Sequence, residues 1–427
     1  MVTFPKAGKA ALLKALLDSE IHFEFSSSVA PLTADSTALA SRFLRKRVFN
    51  KGYASKVMDQ PKASIGYTSD AGLTGTGQNQ IVAKFTSAVA KSVIYAGNLV
   101  SLSPTTSNIN AALAAFNPWF STQKLFPAYG NLDQDDLGLA NMLAKFTYLS
   151  NARYYSRTID YDTPISGKVP PVHFSSYHAG KNSLGVDTEP DGTGIESVQS
   201  LALKAAANAS SSPWKVLAVH YPPVSGRPGW LAELAHLLDG TWDLVLCGHQ
   251  HVNEEIDISG TVRVLNVSSR VETLASGSLE GAVVNAVKLW SNDTSRCATM
   301  IYATEKALVW DVFDIATGAI IRQSHLRKSS APAVYTDLSS NRYYITAEPT
   351  GAVIFNSVVQ ADDIADATPI NQMGIFVGGA AATIANGIEN IPINAISAEG
   401  TPLVLEDSMG IVHSSAIAHI MTRVVSL

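Results

Sequence analysis

Two histidines stand two residues apart in Cys247-Gly248-His249-Gln250-His251, directly after the apolar run Leu244 to Cys247. Imidazole nitrogens ligate divalent transition metals, and a histidine pair on a turn after a buried strand directs both rings into one crevice, with Gly248 permitting close backbone approach. The pattern recurs upstream. Val219-His220-Tyr221-Pro222-Pro223 follows a run from Lys215, and Tyr129-Gly130-Asn131-Leu132-Asp133 follows a run from Leu125. Tyr67-Thr68-Ser69-Asp70 ends a run from Ile65 on an aspartate, and Val93-Ile94-Tyr95-Ala96-Gly97-Asn98 ends on an asparagine. Imidazole together with carboxylate and amide oxygens favours zinc, iron or manganese, so metal-assisted chemistry is the expectation.

Loops at the carboxyl ends of strands in an open α/β sheet meet at one crevice, which is what the spacing of these strings requires. From Ile65 onward strand candidates alternate with helical ones: Ile65 to Thr68, a helix over Gln80 to Val89, Ser92 to Ala96, a helix over Asn108 to Phe116, and Leu125 to Tyr129. Lys215 to His220, a helix over Leu231 to Leu238, Leu244 to Cys247 and Val262 to Val267 follow. Leu308 to Phe313 and Ala319 to Gln323 form a hairpin around Ala316-Thr317-Gly318.

The order Asp70, Asn98, Asn131, His220, His249-x-His251, each after a strand, resembles the calcineurin-like metallophosphoesterases, and especially their purple acid phosphatase branch. Pro127 to Asn131, Phe146 to Leu149, Arg153 to Tyr155 and Trp214 add to the likeness, which runs from Ser69 to about Ser268. The resemblance implies an α/β fold, a β-sandwich flanked by helices, with one or two divalent or trivalent ions and a phosphate-ester substrate. By the same resemblance Asp70 and His251 match the ligands of one ion, and Asn131, His220 and His249 those of the other. Asn98 stands where the family places a bridging aspartate, and Leu132 where it places a histidine acting on the leaving group. Ser101 takes the place of a metal-binding tyrosine.

Leucine cannot move a proton, and losing one general acid costs about two to four orders of magnitude in rate. Asp133, Asp135, Asp136, His173 and His178 are the nearby candidates to replace it, with His220 and Asp133 the catalytic assignments, and Tyr221 is a candidate donor to phosphate. Asn253 and Glu254 are candidates to orient His251. Cys247 reads as a buried small hydrophobe.

The 427 residues divide into an N-terminal segment 1–62, a phosphoesterase-like domain 63–328 and a β-rich C-terminal domain 329–427. Ala10 to Leu17 reads as an amphipathic helix, Ile21 to Phe25 as a strand, Leu39 to Val48 as a basic helix, and Asn50 to Ala63 as a polar connection. Tyr343 to Ala347 and Val353 to Phe355 are strand candidates. Charged residues make up 16% against 46% hydrophobic, sparse enough to point to burial against partner chains, hence a homo-oligomer or virion neighbours. With a net charge of −5, a broad nucleic-acid-binding face is excluded. No apolar run reaches the 18 or so residues of a membrane span. No secretory signal pattern is present and two cysteines make no disulfide framework, so synthesis and folding in a cytoplasm are expected. The opening Phe4 to Leu17 resembles the start of some bacteriophage tail and virion proteins. Two functions are therefore carried forward: a hydrolase weakened by Asn98 and Leu132, or a catalytically degenerate virion structural or binding protein using the fold as a scaffold.

Overall fold

The computed structural model describes residues 13–18, 21–26, 42–47, 50–70, 76–100, 105–134, 138–150, 152–178, 180–181, 187–189, 198–223, 234–270, 286–336, 341–346 and 352–359, with further short strands between 369 and 426. They form two compact units, one of residues 60–331 and one of residues 1–59 with 332–427.

In the first unit β1 (Ala63–Thr68), α1 (Thr76–Ser87), β2 (Ser92–Ala96), α2 (Thr106–Ala115) and β3 (Leu125–Ala128) alternate as their apolar runs predict. Every residue of the three strands is buried, which is why they read as unbroken apolar runs. Thr105 caps α2 by accepting from the Asn108 N–H at 3.2 Å. Next come α3 (Gly138–Lys145), β4 (Tyr155–Ile159), β5 (Val172–Tyr177), α4 (Val198–Ala209), β6 (Trp214–Val219), β7 (Leu244–Cys247), β8 (Asn253–Ile258) and β9 (Val262–Asn266). The unit closes with β10 (Ala286–Asn292), β11 (Cys297–Ala303), β12 (Ala307–Asp314) and β13 (Ile320–Arg327).

One sheet has the order β13-β12-β11-β1-β2-β3, with β1 to β3 parallel and β11 antiparallel to both its neighbours. The other has the order β10-β8-β9-β7-β6-β5-β4, with β5, β6, β7 and β9 parallel. The sheets face each other. Phe126 of β3 meets Phe174 of β5 with centroids 5.8 Å apart, and the Ser176 and Tyr155 hydroxyls donate to the Pro127 carbonyl at 3.0 and 2.6 Å. Tyr67 reaches from β1 across to the carbonyls of Cys247 and Leu265. Outside one sheet Phe85 of α1 packs edge-on to Trp119 and Phe313. Outside the other, Leu203 and Ala207 of α4 join Leu217, Val219, Trp242 and Val245. This is the helix-flanked β-sandwich of the expectation, and a β-rich C-terminal region is present.

In the second unit the strand Ile21–Ser26 pairs with Arg42–Arg47 and with Gln372–Val377, and Asn50–Lys56 lies between Arg342–Thr346 and Ala352–Val359. Strands from the two ends of the chain thus share sheets. Arg42–Arg47 is a strand and not the basic helix expected over Leu39 to Val48, because pairing with Ile21–Ser26 overrides the helical preference of its arginines and lysine. Asn50–Lys56, expected as connection, is the central strand of its sheet and buries Ala54. Ser101, Asp135, Asp136 and residues 231–233 lie outside the described residues, as does most of the segment resembling virion proteins.

A buried ionic cluster ties the sheets together. Glu255 of β8, fully buried, accepts from Arg263 of β9 and, across the sandwich, from Arg322 at 2.8 Å and Ser324 at 2.6 Å. Both arginines keep partial contact with water. Glu255→Ala is therefore expected to lower stability by about 3 kcal/mol in urea unfolding, near the low end for breaking a buried pair.

Candidate metal centre

Five strand ends deliver the predicted residues to one place, and three of them do so with strained backbone. Asp70 follows β1, Asn98 follows β2, and His249 and His251 follow β7; their φ angles are +52°, +59°, +70° and +53°. Left-handed backbone costs a non-glycine residue on the order of 1 kcal/mol or more. Among the described residues these are half of the eight non-glycine positions with positive φ. Glycine supplies the remaining room. A Cβ on Gly97 would lie 2.6 Å from Cγ of His220, and one on Gly248 would lie 2.7 Å from Asp70 Oδ2.

Asp70, 1% exposed, is held on all sides. Its Oδ2 accepts from the Ser69 hydroxyl at 2.7 Å, the His249 N–H at 2.8 Å and the Ser268 hydroxyl at 3.3 Å. Its Oδ1 accepts from Asn98 Nδ2 at 2.8 Å and faces the Nε2 atoms of His251 and His220 at 3.7 and 4.0 Å. Burial opposes the charge, but the facing imidazoles when protonated, with the Ser69 and His249 donors, outweigh it and hold the carboxyl below its usual range.

The Asn131 Oδ1 atom is the second focus. His220 Nε2 lies 3.0 Å from it and His249 Nδ1 3.2 Å, while Asn98 Nδ2 approaches at 3.4 Å. The His220 Nδ1 atom sits 2.8 Å from the Ala96 carbonyl, which can only accept, so Nδ1 carries the ring proton. Burial keeps this ring below the usual histidine range despite Asp70, so it is neutral and Nε2 is a bare lone pair. Two acceptors therefore face each other across 3.0 Å, an arrangement that a cation between them relieves. These residues fit a metal ion. Among the described residues no three His, Cys, Asp or Glu side chains are grouped so as to hold one unaided, and the Asn131 amide oxygen completes the donor set. Asn131, Leu132 and His249 are partly exposed and form its open side, with the Tyr221 ring tilted against that of His249, centroids 4.2 Å apart.

The other candidates separate clearly. Asp133, assigned a catalytic role from sequence, is buried and accepts from the N–H groups of Asn98 at 2.8 Å, Gly130 at 2.9 Å and Val100 at 3.4 Å. It clamps the two loops that carry Asn98 and Asn131. Burial pushes its pKa up to about 7 against those amide donors. His173 pairs in register with Lys215 at the amino-terminal end of β5, far along the strand from the crevice. The Asn253 side chain donates to the carbonyls of Asn292 and Ser295 and accepts from the Ser268 N–H, which fixes the loop bearing Ser268. Cys247 is fully buried, as expected. Sequence reasoning missed Ser69, Gly97 and Ser268; only the adjacency of Ser69 to Asp70 offered a signal.

His178 sits just past β5, after Tyr177, which pairs in register with Val219; it is 3% exposed, its ring 6.4 Å from that of Tyr129. Neither ring nitrogen has a hydrogen-bond partner among the described residues, and burial, then the Arg153 charge, lowers its pKa to about 4. A base whose folded pKa is depressed contributes stability that is complete above the unfolded value and is lost as pH falls. Stability should drop by about 3 kcal/mol between pH 6.5 and 4 on this account, and His178→Phe should flatten that slope in acid unfolding curves. For Asp133→Asn the clamp predicts a loss of about 2 kcal/mol in urea unfolding. Unchanged stability with a shifted pH profile of turnover would instead make Asp133 a proton donor.

Residues 65–253 match the family model for calcineurin-like phosphoesterases, a stretch that includes all six residues from Asp70 to His251. Similar solved structures include a purple acid phosphatase from yellow lupin seeds, at 10% identity over 73% of this chain and 70% of that one with a TM-score of 0.47. A dimetal phosphatase from Danio rerio aligns at 12% identity over 63% of this chain and all of its own, with a TM-score of 0.42. GAP50, the anchor in the inner membrane complex of Plasmodium, aligns at 13% identity over 64% and 90%, with a TM-score of 0.45. No curated protein matches the sequence. Among the described residues no helix is long and apolar enough to cross a membrane. Residues 65–253 of this chain thus form a calcineurin-like phosphoesterase domain.

Proposed function

We propose that this domain hydrolyses phosphate esters with the help of a bound transition metal, zinc, iron or manganese, and does so slowly. The observation that carries the reading is the pair of acceptors, His220 Nε2 and Asn131 Oδ1, facing each other at 3.0 Å with His249 Nδ1 beside them. A metal held there supplies Lewis-acid polarisation of a phosphoryl oxygen and lowers the pKa of water to near neutrality. The chain's own residues do the rest. The Ala96 carbonyl and the Gly97 backbone fix the His220 tautomer and ring, and Asp133 holds the Asn98 and Asn131 loops at the spacing the ligands need. Asn131, Leu132 and His249 form the wall that a substrate meets.

Leu132 offers a phosphate ester no proton. Its N–H is bound to Asn98 Oδ1 at 3.0 Å and its side chain is aliphatic, so a departing alkoxide must take its proton from solvent. That penalises poor leaving groups and spares good ones. With zinc, iron or manganese supplied, p-nitrophenyl phosphate and bis(p-nitrophenyl) phosphate should turn over at least about 100-fold faster than alkyl phosphates, and Leu132→His should raise the alkyl rates by about 10² to 10³. Turnover that persists after chelation, or an equal gain for both ester classes in Leu132→His, would sink the reading.

A further inference from the structure

We infer that the centre holds one ion, at Asn131, His220 and His249, and that the Asn98 amide group stands where a second would have to sit; this rests on the metal-dependent reading above. The orientation of Asn98 decides it. Its Oδ1 accepts from the Leu132 N–H at 3.0 Å, a backbone group that can only donate, so Nδ2 is the atom turned into the crevice. There Nδ2 donates to Asp70 Oδ1 at 2.8 Å and lies 3.4 Å from Asn131 Oδ1. Turning the amide over would set its NH2 against the Leu132 N–H and its oxygen against the Asp70 carboxylate, two repulsive contacts in place of two bonds.

An amide NH2 has no lone pair to give a metal and carries positive hydrogens. It binds the oxygens of Asp70 and Asn131 from between them, doing with hydrogen bonds what a shared cation would do with charge. The two groups of donor atoms then differ in what they leave free. Around Asn131 Oδ1, two imidazole nitrogens stand within 3.0 and 3.2 Å, close to the separation of about 3.3 Å between neighbouring ligands of a tetrahedral ion with bonds near 2.0–2.1 Å. Three protein ligands with an open fourth position is also the arrangement of catalytic zinc sites. On the other side stand Asp70 and His251, 3.7 Å apart. There Oδ2 of Asp70 already accepts three hydrogen bonds and Oδ1 accepts the Asn98 N–H, so an ion at that place would compete with every one of them.

The Asp70 carboxylate remains useful in this arrangement. Buried 4.0 Å from His220 Nε2, it is the acidic group nearest the neutral amide and imidazole ligands.

The test is to count ions on the purified full chain after loading with Zn²⁺ alone and gel filtration, by elemental mass spectrometry with calorimetric titration alongside. One zinc per chain is expected, kept in His251→Ala and lost in His249→Ala and in Asn131→Ala. Asn98→Asp should bind two. Two zinc ions on the wild-type chain, or a single ion lost in His251→Ala but retained in His249→Ala, would overturn the inference while leaving a metal-dependent domain. A wild-type chain that binds no zinc, and no iron or manganese when loaded with each of those in turn, removes the underlying reading along with it. Should Asn98→Asp fail to fold, the His249→Ala and His251→Ala pair still decides which group holds the ion.

Discussion

Asp70 is a carboxylate with almost no contact with water, and taking such a charge out of water costs several kcal/mol unless its oxygens find donors. Ser69, Ser268, the His249 N–H and the Asn98 amide provide them, and each arrives from a different stretch of chain. Meeting that requirement sets the shape of everything near it. The loop after β7 must come close enough for its amide to reach the carboxylate, which excludes a side chain at 248, and the loop after β9 must be turned inward, which is the work of Asn253. The crevice is thus organised around one anion, and the candidate metal ligands inherit their positions from it.

The scaffold makes this possible because both sheets contribute parallel strands whose carboxyl ends lie at the same edge of the sandwich. Tyr67 links them just beneath the crevice by reaching from β1 to carbonyls of β7 and β9. Rigid packing below is what tolerates strained backbone above: a residue held at positive φ relaxes unless its neighbours fix it, and at Asp70, Asn98 and His249 hydrogen bonds do so.

Much of this was legible from residue order alone. Runs such as Ser92 to Ala96 and Leu244 to Cys247 are buried on both faces, so their composition marks them as strands, and a polar residue after each marks the crevice. Where the chain's state depends on a distant partner, sequence reasoning fails. Nothing within Arg42–Arg47 reveals that Ile21–Ser26 will pair with it, and nothing around Asp133 reveals that its acceptors will be taken by amides of the loop after β2. Side-chain bonds to backbone leave no compositional trace, which is why the sequence marks Asp133 for chemistry while the structure shows it clamping two loops. The inward face of Asn98 was equally hidden, since only the Leu132 N–H fixes which end of the amide turns into the crevice.

The second unit closes its sheets with strands from far ends of the polypeptide. Asn50–Lys56 needs Arg342–Thr346 and Ala352–Val359 as neighbours, so during synthesis it has no partner in its sheet until those later residues leave the ribosome. At 5–20 residues per second that delay is about 15 to 60 s, and the phosphoesterase domain, whose own strands all lie between, can fold first. Through that interval an unpaired strand carrying free backbone donors and acceptors is exposed, a window in which chaperones or a neighbouring nascent chain compete for it. The order of assembly is thereby written into the topology: the enzyme-like core first, and the unit built from both ends of the chain last.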